Sequence, residues 1–204
     1  MAVQYTIPFQ VSPDFSAQAL IAHAGIEAAQ GWLARFPDWP TETLIISGAP
    51  ASGKSHLAST RPEGLLLWDL VERPLTSREE AEALFHLLNQ VRVEGQRLLI
   101  LSRQHPTQLY PDLPDLDSRL RAANHVPLEE PQEDSLREAI LFKMATDHQL
   151  RFDLEVAHYI VTRLPQTLEA LRLFCQLALE QHSKAELSKI AARPLIAEVE
   201  AQLG

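Results

Sequence analysis

From Ser16, a residue suited to a helix N-cap, apolar side chains recur at Ala17, Ile21, Ala24, Ala28, Trp32 and Phe36. This helical spacing ends at Pro37, and the corner Pro37-Asp38-Trp39-Pro40 follows. The unbroken apolar run Thr43-Leu44-Ile45-Ile46-Ser47 then predicts a buried strand, and Leu65-Leu66-Leu67-Trp68 predicts a second. Ala81, Leu84, Phe85, Leu88 and Val91 make the stripe of a helix, and Arg97–Ser102 reads as the next strand. Pro114–Arg121 predicts a short helix, and His125–Leu128 a short strand. From Glu133 glycine is absent until Gly204, while helical stripes repeat: Leu136, Ile140 and Met144; then Leu154, Ala157 and Val161; then Leu168, Leu171, Cys175 and Leu179. Pro194 is expected to open a last helix with Leu195, Val199 and Leu203. Strands alternating with helices, followed by helices alone, predict an α/β domain over residues 13–130 and an all-helical appendage over 131–204.

Composition narrows the function classes. The chain has 204 residues, 46% of them hydrophobic, enough for a real core and unlike a disordered segment. Its net charge of −9 argues against a large direct nucleic-acid footprint, which needs clustered Lys and Arg. The one cysteine, Cys175, lies among apolar neighbours and reads as a packed thiol. Met1–Phe9 lacks the basic and long apolar regions of a signal peptide, and no apolar run is long enough for a membrane span, so the expected location is the cytoplasm. The eight histidines show no H-E-x-x-H pattern and no Cys/His pairing, which leaves a metal other than nucleotide-bound Mg²⁺ without support.

The chemistry concentrates in Gly48-Ala49-Pro50-Ala51-Ser52-Gly53-Lys54-Ser55, which fits G-x-x-x-x-G-K-[ST]. Such a loop wraps phosphates with backbone amides, while Lys54 reaches the terminal ones and Ser55 can hold Mg²⁺. Ala51, Ser52 and His56 complete the loop and the start of the helix after it. A strand before and a helix after are the context that the motif requires. Fifteen residues separate Lys54 from Asp69, which leaves no room for a further strand and helix. Asp69 closes its apolar run where a P-loop enzyme carries an acid for Mg²⁺. Leu70 follows it, and Glu72 alternates back to the side of Leu70 if the strand continues, so hydrolysis by this chain's own site is expected to be weak or absent. Ser102, at a strand's C-terminal end, can sense a terminal phosphate or serve a turn. Arg119 and Arg121 stand out in an acidic chain, as solvated arginines paired with carboxylates or as an arginine finger for another protein's nucleotide. Gln4-Tyr5-Thr6-Ile7-Pro8-Phe9 is either a tail stapled onto the first helix or an extended peptide offering Ile7 and Phe9 to a partner.

With these motifs assembled, the chain resembles the DnaA-related branch of AAA+ proteins, and within it the regulators of the Hda type. The likeness runs nearly end to end, through QYTIPF, WLARFPDWP, GAPASGKSHLA, ALFHLLNQVRVEGQRLLILSR and LPDLDSRLRAA. It implies an AAA+ P-loop sheet with a helical lid, lacking one edge strand and its helix. It also implies ADP or ATP with Mg²⁺ as ligands, and residues 1–12 as a sliding-clamp-binding peptide in which Gln4, Ile7, Pro8 and Phe9 touch the β subunit of DNA polymerase III. Arg119 falls at the family's arginine finger, which acts in trans on ATP bound to DnaA and so restrains replication initiation. Gln166 stands where the family places a second sensor arginine, with Arg172 as the substitute. No direct sequence-specific DNA binding and no membrane partner are implied, and a homo-oligomer is possible. A stand-alone P-loop ATPase and a non-catalytic DnaA-like docking module remain the alternatives.

Overall fold

The computed structural model describes residues 23–110, 112–147, 149–182 and 186–204. The clamp-peptide residues Gln4, Ile7, Pro8 and Phe9, and the expected helix start at Ser16, lie outside them. Among the described residues the chain forms two compact units. One runs to Glu133 and includes Gln166–Glu169; the other comprises Asp134–Pro165 and Ala170–Gly204.

The first unit is built on a four-stranded, all-parallel sheet. In chain order its elements are α1 (Ala24–Ala34), β1 (Thr43–Gly48), α2 (Lys54–Ser59), β2 (Leu66–Asp69), α3 (Arg78–Glu94), β3 (Leu98–Ser102), α4 (Pro114–Ala122) and β4 (Asn124–Leu128). The strand order is β2-β3-β1-β4, so the strand ending in Asp69 forms one border of the sheet. The alternation of β-strand side chains divides the core into two layers. Leu44 and Ile46 of β1, with Leu99 and Leu101 of β3, face Ile26, Ala29 and Leu33 of α1 and Leu57 and Ala58 of α2. Ile45, Leu98 and Ile100 face Ala81, Leu84, Leu88 and Val91 of α3 and Leu116 and Leu120 of α4. Leu44, Ile45 and Ile46 are fully buried, and each such side chain contributes roughly 1.5–3 kcal/mol of transfer free energy.

Local chemistry sets the helix ends. Ser77 caps α3 by accepting from the Glu80 amide, and the Glu80 carboxylate accepts in return from the Ser77 amide. Gly95 closes the same helix with φ +66°, a left-handed value that glycine adopts without steric cost. On α1 the buried positions are Ile26, Ala29 and Leu33, whereas Ala28, expected on that face, is exposed. Trp32 and Phe36 pack against the edge of that core. Trp39 in the following corner is buried and donates its indole N–H to the Trp32 carbonyl at 2.8 Å.

The second unit contains α5 (Asp134–Asp147), α6 (Leu154–Val161), most of α7 (Leu168–Gln181) and α8 (Lys189–Leu203). Several expected stripes are rotated. Leu154 is 64% exposed because Asp153 caps α6 through the Val156 amide, and Val156, Ala157, Ile160 and Val161 turn inward. On α5 the buried residues are Arg137, Ile140, Leu141 and Ala145, with Leu136 and Met144 only half-buried. Leu179 of α7 is exposed, while Phe174, Cys175 and Ala178 are fully buried. Pro194 does not open α8. Ser188 caps that helix through the Ala191 amide, one turn and more before the proline, which lies inside it. Arg137 is 1% exposed and donates to the Val161 carbonyl at 3.2 Å and the Pro165 carbonyl at 2.9 Å. It thereby ties α5 to the end of α6 and makes a 3.2 Å ion pair with Asp134, while its buried Nε has no hydrogen-bond partner among the described residues. Burial pushes the Cys175 thiol up to about 12, so it is an inert packing group. No described helix is long and apolar enough to cross a membrane.

Candidate functional site: the P-loop and an arginine on α4

The loop after β1 needs its glycines. A Cβ on Gly48 would lie 2.7 Å from Ser52 Oγ and 3.0 Å from Leu128 Cβ, so the backbone passes β4 too closely for a side chain. Ala51 has φ +63° and Gly53 φ +92°, left-handed conformations that turn successive amides toward one concavity. Gly53 is the N-cap of α2, and no side chain caps that end. The first amides of α2 therefore remain suited to an anion.

Lys54 is 4% exposed and its ammonium is held inside the loop. Nζ donates to the carbonyls of Gly48 and Ala49, both at 2.7 Å, and to Ser52 Oγ at 3.0 Å. Burial, followed by the nearby Arg103 charge, pushes the ammonium down to about 8, partly countered by the Asp69 carboxylate. Ser55 lies exposed in the first turn of α2, where its hydroxyl is available for Mg²⁺. His56 is buried in that turn.

Asp69 ends β2 and accepts at Oδ1 from the amides of Val71 (2.9 Å) and Glu72 (3.3 Å). That Asx turn corrects the expectation for Glu72: the chain leaves the strand, so strand alternation does not extend to it. Leu70 is buried and offers no carboxylate beside Asp69. Ser102 ends β3 opposite Ser47 and is 1% exposed. Its hydroxyl donates to the Gln104 carbonyl and accepts from the Gln104 amide, both at 2.9 Å, which closes it into a turn.

Two features escaped sequence reading. Arg103 follows Ser102, is exposed, and is close enough to Lys54 to act on its titration. A polar cluster also lies beside the loop: Ser47 Oγ is 2.8 Å from His125 Nε2, and the His105 ring meets His125 edge-on with centroids 4.7 Å apart. Burial and the His105 ring hold His125 below the usual histidine range. The signal for both was strand register, which no single stretch of sequence displays.

The α4 arginines differ in pairing. Arg121 makes a 2.8 Å ion pair with Asp117, as a solvated helix arginine does. Arg119 is half-buried, with its guanidinium 5.4 Å from the centroid of the Phe85 ring. Among the described residues no carboxylate pairs with it. It lines a groove of about 530 Å³ between α3 and α4 with Phe85, Arg92, Asp115, Ser118 and Ala122. In the helical unit, Arg172 is exposed on α7 and donates to Gln176 at 3.4 Å. Gln166 is exposed in the short stretch that belongs to the first unit. No group of three or more His, Cys, Asp or Glu suited to a metal occurs among the described residues.

No family model and no curated protein matches the sequence. Among solved structures the chain is similar to domain III of the replication initiation protein DnaA from Thermotoga maritima. Identity is 20%, coverage is 92% of this chain and 98% of that one, and the TM-score is 0.74. It is also similar to AMPPCP-bound DnaA from Aquifex aeolicus, at 16% identity and TM-score 0.61, covering 86% of this chain and 67% of that one. The RuvB Holliday junction branch migration motor of Thermotoga maritima follows at 12% identity and TM-score 0.62, covering 93% and 73%. These likenesses establish the fold: an α/β fold like that of DnaA domain III, with a four-stranded parallel sheet and C-terminal helices.

Proposed function

We propose that this AAA+ module is a regulator of the Hda type: it binds ADP or ATP with Mg²⁺ in its P-loop and lends Arg119 to ATP bound by DnaA. The observation that carries this reading is the placement of Arg119. It sits at a surface groove on an aromatic ring, without a carboxylate to consume its donors, whereas its neighbour Arg121 is paired. Guanidinium donors left in this way can meet a second molecule's phosphate.

The chain's own loop fits a phosphate ligand. Gly48 and Gly53 give the close approach and the left-handed turn, Lys54 supplies charge, and Ser55 and Asp69 are the oxygen donors for Mg²⁺. The cation bound with a nucleotide supplies charge neutralisation at the phosphates. With buried Leu70 after Asp69, the loop supports retention of a nucleotide better than its cleavage. Gln4–Phe9 supports a tether to the sliding clamp, which would concentrate the regulator on replicated DNA and restrain further initiation.

The test is DnaA-bound ATP turnover with clamp, DNA and this protein. An arginine finger is worth roughly 10³–10⁵ in rate, so Arg119→Ala is expected to abolish stimulation while Arg121→Ala retains it. Unchanged stimulation by Arg119→Ala removes the arginine from the mechanism. Clamp capture undiminished by Gln4→Ala with Phe9→Ala removes the tether.

A further inference from the structure

Helices α3 and α4 lie on the same face of the sheet and share its core through Leu84, Leu88, Leu116 and Leu120. Beside that contact they leave the groove that Arg119 lines. Phe85 and Arg92 border it from α3, and Asp115 and Ala122 border it from α4, each pair seven residues apart. Seven residues make two helical turns, so each wall runs about 10 Å. That length admits two separate polar contacts. Arg119 holds its guanidinium at Phe85, 5.4 Å from the ring centroid, and Arg92 stands two turns further along α3.

Arg92 is exposed, and among the described residues it has neither an ion pair nor a side-chain hydrogen bond. Helical spacing explains this. The positions three and four away are Leu88, Asn89, Gly95 and Gln96, and none is a carboxylate. Glu94, two residues on, accepts from Gln90 at 2.9 Å instead. Arg119 does have an acid four positions before it, Asp115, on the same groove, yet no ion pair joins them. Arg78 and Arg121, by contrast, each pair with the acid four positions away. The groove thus sets two cations against one anion in a chain whose net charge is −9. Such a local reversal of sign attracts and orients an acidic partner. A nucleic-acid backbone is the poorer match, because its grip depends on many clustered cations.

We propose that the α3/α4 groove docks an acidic segment of the partner protein, with Arg92 gripping a carboxylate there while Arg119 reaches the nucleotide. The inference rests on the reading of this chain as a regulator of DnaA-bound ATP. Arg92 is a docking residue: it holds the partner and takes no part in the chemistry at the phosphate. Its loss weakens association and leaves the rate of the assembled complex as it was.

Turnover of DnaA-bound ATP, with clamp and DNA, is measured against the concentration of this protein for the wild type, Arg92→Ala, Arg92→Glu and Arg119→Ala. Arg92→Ala is expected to raise the half-maximal concentration about two- to fivefold, the worth of an exposed ion pair. Arg92→Glu should raise it about tenfold or more, by setting like charges together. The maximum stays unchanged in both. The wild-type value should also rise more steeply with salt than that of Arg92→Ala. In the Arg92→Lys variant a carbodiimide should join the amine at position 92 to an Asp or Glu of DnaA, and mass spectrometry locates the amide. An unchanged half-maximal concentration in Arg92→Glu, or a lowered maximum at an unchanged half-maximal concentration, overturns the docking role. A shifted concentration with no cross-link from position 92 overturns the carboxylate as its ligand. Full stimulation by Arg119→Ala alongside shifted Arg92 variants overturns the arginine finger and leaves the docking groove standing. Absence of stimulation by the wild type overturns both.

Discussion

The guanidinium of Arg119, on α4, lies over the ring of Phe85, on α3, 5.4 Å from its centroid. The pair joins two helices that already share the core on one face of the sheet. The ring can hold the charge in place without occupying its N–H donors, which a carboxylate would do. Phe85→Leu keeps the volume and removes the π face. Stimulation of DnaA-bound ATP hydrolysis is expected to fall about two- to fivefold, following the roughly 0.5–1 kcal/mol of an exposed cation–π pair. Phe85→Tyr should retain it. Nucleotide binding by the chain's own loop serves as the control and should not change.

Lys54 gives the proposed nucleotide site a pH dependence. Its ammonium is pushed down to about 8, and binding of phosphate requires the charged form. Affinity for ADP should therefore be flat below pH 8 and fall above it, by at most about tenfold per pH unit. For the protein alone the sign is opposite. A lysine whose folded value lies below its unfolded one disfavours the folded state at low pH, and this penalty shrinks as pH rises from about 8 toward the ordinary value of 10.5. Titrations from pH 6.5 to 9.5 and thermal melts over the same range check both directions.

Gly48→Ala tests the close passage of the loop past β4. The added methyl meets Ser52 Oγ at 2.7 Å, which a rotamer change can relieve, but also the Leu128 Cβ at 3.0 Å and carbonyl at 3.2 Å, which are fixed by the strand. We expect a loss of about 1–3 kcal/mol of stability in denaturant melts and a larger proportional loss of nucleotide affinity, because the shift falls on the phosphate loop itself.

The helical unit has its own weak point in Arg137. Its removal strands the Val161 and Pro165 carbonyls, one buried and one half-buried, at the end of α6. Arg137→Ala is expected to cost about 2–4 kcal/mol, seen as a lowered midpoint and as faster hydrogen exchange in α5 and α6. Asp134→Ala should be mild, since that partner is 47% exposed.

The parts legible in the sequence were those written in contiguous residues. The loop from Gly48 to Ser55 declares itself by spacing, the apolar strands by composition, and the fifteen-residue gap from Lys54 to Asp69 by simple chain length. The four-stranded sheet follows from that gap. Helix faces were less legible in the C-terminal half, where apolar residues surround each helix and a cap chooses among possible faces. Asp153 and Ser188 make that choice for α6 and α8, leaving Leu154 outside and Pro194 within. Arg103 and the Ser47–His125 contact were invisible for a different reason. They arise from the order in which strands are laid side by side, and a linear pattern does not contain that order.

The position of β2 at the sheet's border has a mechanical outcome. Leu66 and Leu70 give their amides to β3, so the alternation sends those of Leu67 and Asp69 outward. The acid is fastened along a single seam, while Lys54 follows a strand flanked on both sides. Opening of that seam would displace the carboxylate and leave the lysine where it is. In the proposed nucleotide site, grip on a ligand and alignment for cleaving it would thus stand on separate footings, and the first could stay firm when the second is slack.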